Sequence, residues 1–320
     1  MTRLVAILLA LLALAFPLSL LAGRVWFDPL TTSSPNMLII LTELRLPRAV
    51  LALLVGGGLG AAGAAMQGYL RNPLADPGLF GIAPGAALGA VLSLWTGLAA
   101  QPWTLPLFAL IGAGGAMALL ALIAGRNGSV TLFTLAGMMI ASLAGALMSL
   151  AISLAPTPFA LSEIVTWLMG ALSDRSWNDV MVAAPLSLIG IALLLRAGRA
   201  LDALTLGEVA ARSLGIEPGR LRWLMIAGIG LTVGGAVAVA GIIGFVGLIV
   251  PHLVRPLTDG RPSRLILPSA LAGALLLLVA DCLCRVLPLD GGELRLGIAL
   301  SLLGAPFFLH LLLRLRRELA

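Results

Sequence analysis

The apolar residues of this 320-residue chain come in long, nearly unbroken runs rather than in the spacing of a half-buried helix or strand. A helix that crosses a bilayer needs about 20 mostly apolar residues. Runs at 4–22, 46–70, 81–99, 104–125, 132–155, 178–198, 219–240, 263–287 and 295–315 meet that need. Another, at 244–254, is too short to span alone and is expected as a half-length helix buried among neighbours, where irregular backbone is tolerated. The short run at 160–170 is expected at the outer surface. The stretch 4–22 is long for the apolar core of a cleaved signal and is read as the first span. The expected fold is an all-α membrane protein, one polytopic domain over 1–320, with about ten transmembrane helices.

A weak repeat runs through this pattern. Gly78-Leu79-Phe80-Gly81-Ile82-Ala83-Pro84 resembles Gly244-Phe245-Val246-Gly247-Leu248-Ile249-Val250-Pro251, with one residue inserted, and a similar offset brings Leu135-Ala136-Gly137 near Leu302-Leu303-Gly304. This lays helices 2–5 over helices 7–10. Five crossings separate each pair, so the second copy runs inverted, an arrangement that transporters with alternating access use. Gly81, Gly85 and Gly89 are spaced by four, as are Gly56 with Gly60 and Gly230 with Gly234. Such stripes let helix backbones approach closely and are read as tight packing ahead of pore lining.

Charge adds an orientation. Only 11% of residues are charged against 60% hydrophobic, where a soluble domain carries about 25% charged residues. All 20 basic residues are arginine. With the N-terminus inside, six of them (Arg24, Arg45, Arg48, Arg175, Arg285 and Arg295) fall outside, leaving 14 inside, as the positive-inside rule requires. Both termini are therefore expected in the cytoplasm. The net charge of +6 reflects this topology and no nucleic-acid partner. Without lysine there is no phosphate-binding loop ending in Gly-Lys-Ser/Thr, so any ATP hydrolysis belongs to another chain.

Candidate chemistry is sparse. Cys282 and Cys284 point in different directions from one helix and are read as small core residues. His252 and His310 join no catalytic grouping, and neither a catalytic set nor a metal site is expected. Asp281 and Arg285 lie four apart near the outer end of a helix, either a local ion pair or the start of a relay. One such pair is a poor proton path, which disfavours an ion-coupled secondary transporter. Arg71-Asn72-Pro73-Leu74-Ala75-Asp76-Pro77 forces a non-helical turn on the cytoplasmic side, its Asn72 and Asp76 offering atoms to freed backbone groups; it reads as a turn or as a gate. The segment 201–218 is mildly amphipathic, with Asp202 or Thr205 as a cap and Glu208 completing a capping box. It is suited to a cytoplasmic partner's grip or to rest on lipid.

Seven elements in order carry a resemblance: Arg45-Leu46-Pro47-Arg48, Gly63-x-x-Met66-Gln67, the Asn72–Pro77 turn, Gly81-x-x-x-Gly85-Ala86, Leu206-Gly207-Glu208-x-Ala210-x-x-x-Leu214-Gly215, Gly244-Phe245-Val246-Gly247-Leu248-x-x-Pro251-His252-x-x-Arg255, and Leu303-Gly304-Ala305-Pro306-Phe307-Phe308. From about residue 44 onward the chain resembles the permease subunits of iron-siderophore, haem and cobalamin ABC importers, the type II importer family. The resemblance implies a ten-helix permease in the bacterial inner membrane, moving ferric siderophores or, as the alternative, cobalamin or haem. It would hold no cofactor itself and would work with a second permease subunit, two cytoplasmic ATPase subunits and a periplasmic or lipid-anchored binding protein. It also implies roles. Arg45, Arg48 and Arg285 would dock the binding protein. Asp202, Leu206, Gly207, Glu208, Ala210, Leu214 and Gly215, within 202–217, would form the helix that couples to the ATPase. Asn72, Leu74 and Thr131 would form the cytoplasmic gate.

Overall fold

The structure, a computed structural model, describes residues 2–23, 36–101, 103–125, 129–287 and 292–319. Arg24 and Arg126, used in the charge balance, lie outside the described residues. The regular elements of the described chain are all helices. In order come α1 (Thr2–Leu21), α2 (Met37–Leu70), α3 (Ile82–Trp95), α4 (Thr104–Ala124), α5 (Val130–Ser153) and α6 (Pro158–Leu168). Then follow α7 (Trp177–Leu204), α8 (Glu208–Ser213), α9 (Pro218–Ala240), α10 (Val246–Val254), α11 (Pro262–Val286) and α12 (Leu296–Leu319). Eight of these helices are long and apolar enough to cross a membrane, and the shorter α3 and α10 bring the expected ten crossings. The fold is an all-helical, multi-pass membrane bundle.

The expected half-helix is present as α10, nine residues long and almost wholly buried. It follows a non-helical stretch at 241–245 and is capped by Phe245 in the left-handed region (φ 67°), a conformation a bulky residue rarely adopts. The start of α3 has the same construction, with Gly81 at φ 77°. Neighbouring helices meet the two starts alike. Gly137 of α5 lies against Phe80, and Gly304 of α12 lies against the Phe245 ring; a Cβ at Gly304 would sit 2.2 Å from Phe245 Cγ. The repeat is thus visible in three dimensions, with Gly81 matching Phe245 rather than Gly247, two residues from the register expected from sequence.

Several boundaries differ from expectation, three of them with a clear cause. A six-residue π-helical stretch, Ile40–Arg45, extends α2 backward, so Arg45 sits within a helix. α3 stops at Trp95, where Thr96 and Gly97 turn the chain. α7 continues six residues past 198 to Leu204, because its polar Asp202 finds a tertiary partner instead of ending the helix.

α2 and α9 form the interior, most of their lengths buried, with α11 packed along α2. Glycine permits this. A Cβ at Gly56 would lie 2.3 Å from the Gly273 carbonyl oxygen, and one at Gly60 would lie 2.2 Å from that of Ser269, so α2 and α11 touch backbone to backbone. Likewise a Cβ at Gly89 of α3 would lie 2.0 Å from the Phe108 carbonyl oxygen of α4, and one at Gly230 would strike Met117 Sδ at the same distance. All three glycine stripes are packing surfaces. By contrast, α1 buries little of itself and leans on α11.

Candidate functional site at the two ends of the bundle

Two clusters of polar side chains lie at opposite ends of α11. At its C-terminal end, Asp281 is buried and holds two arginines. Arg48 of α2 donates from Nε and Nη2 to its Oδ1 at 3.0 and 2.9 Å, and Arg285 Nε lies 3.1 Å from Oδ2. Arg48 also reaches Glu293 Oε2 at 2.8 Å. The Asp281–Arg285 pair expected from sequence is therefore present, but it is part of a larger network whose other half comes from α2, 233 residues away. Arg45 donates to the Leu20 and Leu21 carbonyls at 2.7 and 2.9 Å, and Arg285 to that of Ala22 at 3.1 Å. These are the orphan acceptors at the end of α1, where cations are favoured. Arg45, Arg48 and Arg285 are thus brought together, as a clamp on α1 and Asp281. Both cysteines are free; Cys282 Sγ lies 3.2 Å from Arg285 Nη2.

Also at this end, Glu163, Trp167, Arg175 and Arg295 line an opening of about 410 Å³. Burial lowers the Arg175 guanidinium, against the pull of Asp179 and Asp174. Arg295 donates to Ser173 Oγ at 3.2 Å. The sequence marked these arginines only by their topology.

At the N-terminal end of α11, the segment 201–218 divides. Leu201–Leu204 completes α7, and the free-standing helix is α8, six residues long. Its N-cap is Gly207 (φ 101°), while Thr205 closes α7 by donating to the Asp202 carbonyl, so the expected Thr205–Glu208 capping box does not form. Asp202 caps a different helix. It accepts from the Ser263 N–H at 2.8 Å and from the Ser263 hydroxyl, satisfying the start of α11 from 61 residues away. Glu208 points toward the first N–H of α5, Val130 N lying 3.5 Å from its carboxylate. Leu206, Val209 and Leu214 are 68%, 82% and 62% exposed. Gly215, at φ 80°, turns the chain toward α9, and Ala210 lies between the exposed positions.

The turn after α2 behaves as its composition dictates. Arg71 closes the helix in the left-handed region (φ 50°); Asn72 Oδ1 accepts from Leu74 N at 2.9 Å, and Asp76 Oδ1 from Gly78 N at 2.7 Å. Burial raises the Asp76 carboxyl and the Gly78 N–H opposes that shift. Asn72 and Thr131 are exposed and Leu74 half-buried. No hydrogen bond among the described residues joins Thr131 to Asn72 or Leu74. The turn and α5 are linked instead through Tyr69, whose ring meets Phe133 edge-on at 5.2 Å.

Two contacts were beyond reach of spacing arguments. Arg255 Nη2 donates to Gln67 Oε1 at 2.8 Å, joining α2 to the end of α10 across 188 residues. Buried Arg222 of α9 donates to the Ala124 and Gly125 carbonyls, closing the C-terminus of α4. The short resemblance motifs around Gln67 and Arg255 are thus two halves of one contact.

The FecCD transport family matches residues 4–314. The chain belongs to that family. Among its relatives, an uncharacterized ABC transporter permease, YvrB of Bacillus subtilis, is 41% identical over 297 residues, covering 91% of this chain and 81% of that protein. The vitamin B12 import system permease BtuC of Pectobacterium atrosepticum is 40% identical over 318 residues, 98% of this chain and 94% of the relative. A solved structure of a metal-chelate type ABC transporter in an inward-facing conformation is 32% identical, with a TM-score of 0.90 over 98% of this chain and 100% of that one. This FecCD-family chain is accordingly an ABC importer permease, a multi-pass membrane subunit.

Proposed function

We propose that this permease carries a bulky metal chelate inward, driven by ATPase subunits that grip α8. The observation that carries the reading is the wiring of that helix. Val209 projects from it and Leu206 and Leu214 from the turns on either side, all three exposed, while Glu208 faces the start of α5 and neighbouring Asp202 caps α11. A partner that seats Leu206, Val209 and Leu214 and shifts α8 pulls on α5, α7 and α11 together. Within 202–217 the coupling role belongs to Leu206, Gly207, Glu208, Ala210, Leu214 and Gly215, with Asp202 as the anchor in the preceding helix. Both termini and α8 are cytoplasmic in this reading, supported by the arginine distribution. The gate formed by Asn72, Leu74 and Thr131 is completed by a second permease subunit, identical or homologous, across the pore axis.

Arg45, Arg48 and Arg285 then face the binding protein. Only Arg45 is half-exposed; Arg48 and Arg285 are nearly buried against Asp281, so acidic groups of the binding protein compete with Asp281 for them. Such pairs set orientation more than affinity. As for cargo, the names of the relatives favour cobalamin, and the likeness to a metal-chelate transporter supports a ferric siderophore as the second reading. Few titratable side chains face the interior, which suits a path that must not retain its load.

The test is uptake of labelled cobalamin, ferric siderophore and haem into vesicles holding this permease, its ATPase and its binding protein. ATP-dependent uptake of one cargo, lost without the binding protein, is expected. Uptake that follows a proton gradient without ATP overturns the proposal.

A further inference from the structure

Between α7 and α9, at the Asp202 end, lies a cavity of about 940 Å³. Its charged lining is Arg196, Arg199 and Arg220 against one carboxylate, Glu217; its remaining wall includes Leu193 and Leu224. Arg48, Arg222, Arg255 and Arg285 are all engaged with acceptors of the chain. Arg196, Arg199 and Arg220 are exposed and make no hydrogen bond or ion pair among the described residues. Three unpartnered cations around one hollow repel each other and call for an anion.

Depth identifies the kind of anion. Arg196 follows Trp177 by 19 residues along the unbroken α7, a rise of about 29 Å at 1.5 Å per residue. That matches a bilayer hydrocarbon layer of about 30 Å. Trp223, 59% exposed, follows Arg220 by three residues, a rise of about 4.5 Å, within the interfacial zone that tryptophans of membrane proteins favour. The guanidinium groups therefore ring the hollow where lipid headgroups begin, and Leu193 and Leu224 supply an apolar wall that a free inorganic anion would not use.

We infer that this cavity binds an anionic phospholipid, with Arg196, Arg199 and Arg220 donating to the headgroup phosphate and Leu193 and Leu224 receiving the first methylenes of its chains. Guanidinium groups suit phosphate because their planar donors match its oxygens in pairs. Basic pockets between membrane helices are a known way to hold such headgroups. The bound lipid would brace the C-terminal third of α7 and the start of α9, the two helices that flank α8.

Native mass spectrometry of the full-length permease, released from detergent after mixing with phosphatidylglycerol, cardiolipin or phosphatidylcholine, tests this. Retention of the two anionic lipids over phosphatidylcholine is expected. Each arginine replaced in R196Q, R199Q and R220Q lowers retention about fivefold, the equivalent of about 1 kcal/mol. The lysine versions of the same variants keep most of the binding, which separates lost charge from a lost fold. R261Q/R264Q, which removes two exposed charges at the same end, leaves retention unchanged. Equal retention in the triple glutamine variant overturns the inference. So does displacement of the lipid by inorganic phosphate, which makes the hollow a plain anion site, or by the bound ATPase, which assigns it to that partner.

Discussion

The two ends of α11 use aspartate for opposite purposes. At the C-terminal end, Asp281 is the centre of a buried network in which it pairs with Arg48 and Arg285, Arg48 also pairs with Glu293, and the clamp extends to α1. At the N-terminal end, Asp202 satisfies only the start of α11, and the surroundings are left open: three cations without acceptors and three apolar side chains in solvent. At the first end the charges find partners within the chain. The second leaves groups for the proposed partners to meet. A change at the Asp281 end should therefore cost stability, and a change at the Asp202 end should cost function while the fold survives.

The largest expected effect comes from breaking the Asp281 end. Asp281→Ala removes the carboxylate that Arg48 and Arg285 share, leaving nearly buried Arg285 with no carboxylate partner and Arg48 with Glu293 alone, and should destabilise by about 3–5 kcal/mol, read as early unfolding in a thermal scan of the purified protein. Replacing Arg48, Asp281 and Arg285 together by apolar residues of similar volume should recover most of that loss; no recovery would show that the network matters for more than its charges. Midway between the ends, Gly60→Ala drives a methyl group into the Ser269 carbonyl and should cost about 1–3 kcal/mol. Asp202→Ala removes a cap and should cost about 0.5–2 kcal/mol. Smallest in stability, and sharpest for the comparison, are Val209→Ser and Leu214→Ser. They should leave unfolding within about 0.5 kcal/mol of wild type while abolishing transport-stimulated ATP hydrolysis. Intact stimulation would detach α8 from the ATPase.

The spans were legible because lipid imposes a length and a composition that short polar insertions cannot imitate. Even the half-helix α10 showed, its apolar run being simply too short. The expected boundaries at 46–70, 219–240 and 263–287 differ from the observed helices by no more than a residue at either end, apart from the π-helical extension before Leu46. What stayed hidden were pairings whose partners lie far apart in sequence. Asp281 with Arg285 was visible at i,i+4, but nothing in the local pattern ties Arg48 to Asp281, Gln67 to Arg255, or Asp202 to Ser263. The last case explains why the cap expected for the segment at 201–218 is not the one observed. A polar residue at the end of an apolar run looks like a cap for the helix it precedes, and only the fold shows that it caps another. The family motifs carried more here than periodicity did, since they singled out Gln67 and Arg255 before any contact between them was known.

The backbone seam between α2 and α11 also bears on how this protein can change over generations. Every amino acid reachable from glycine by a single base change carries a Cβ, and at Gly56, Gly60 and Gly273 that atom would fall within 2.3 Å of a carbonyl oxygen of the facing helix. Every amino-acid replacement at these positions therefore meets that clash, while the outward face of α1 can drift among many apolar residues. Variation should accumulate from the periphery inward and stop at the seam, leaving it as the slowest-changing line in the molecule.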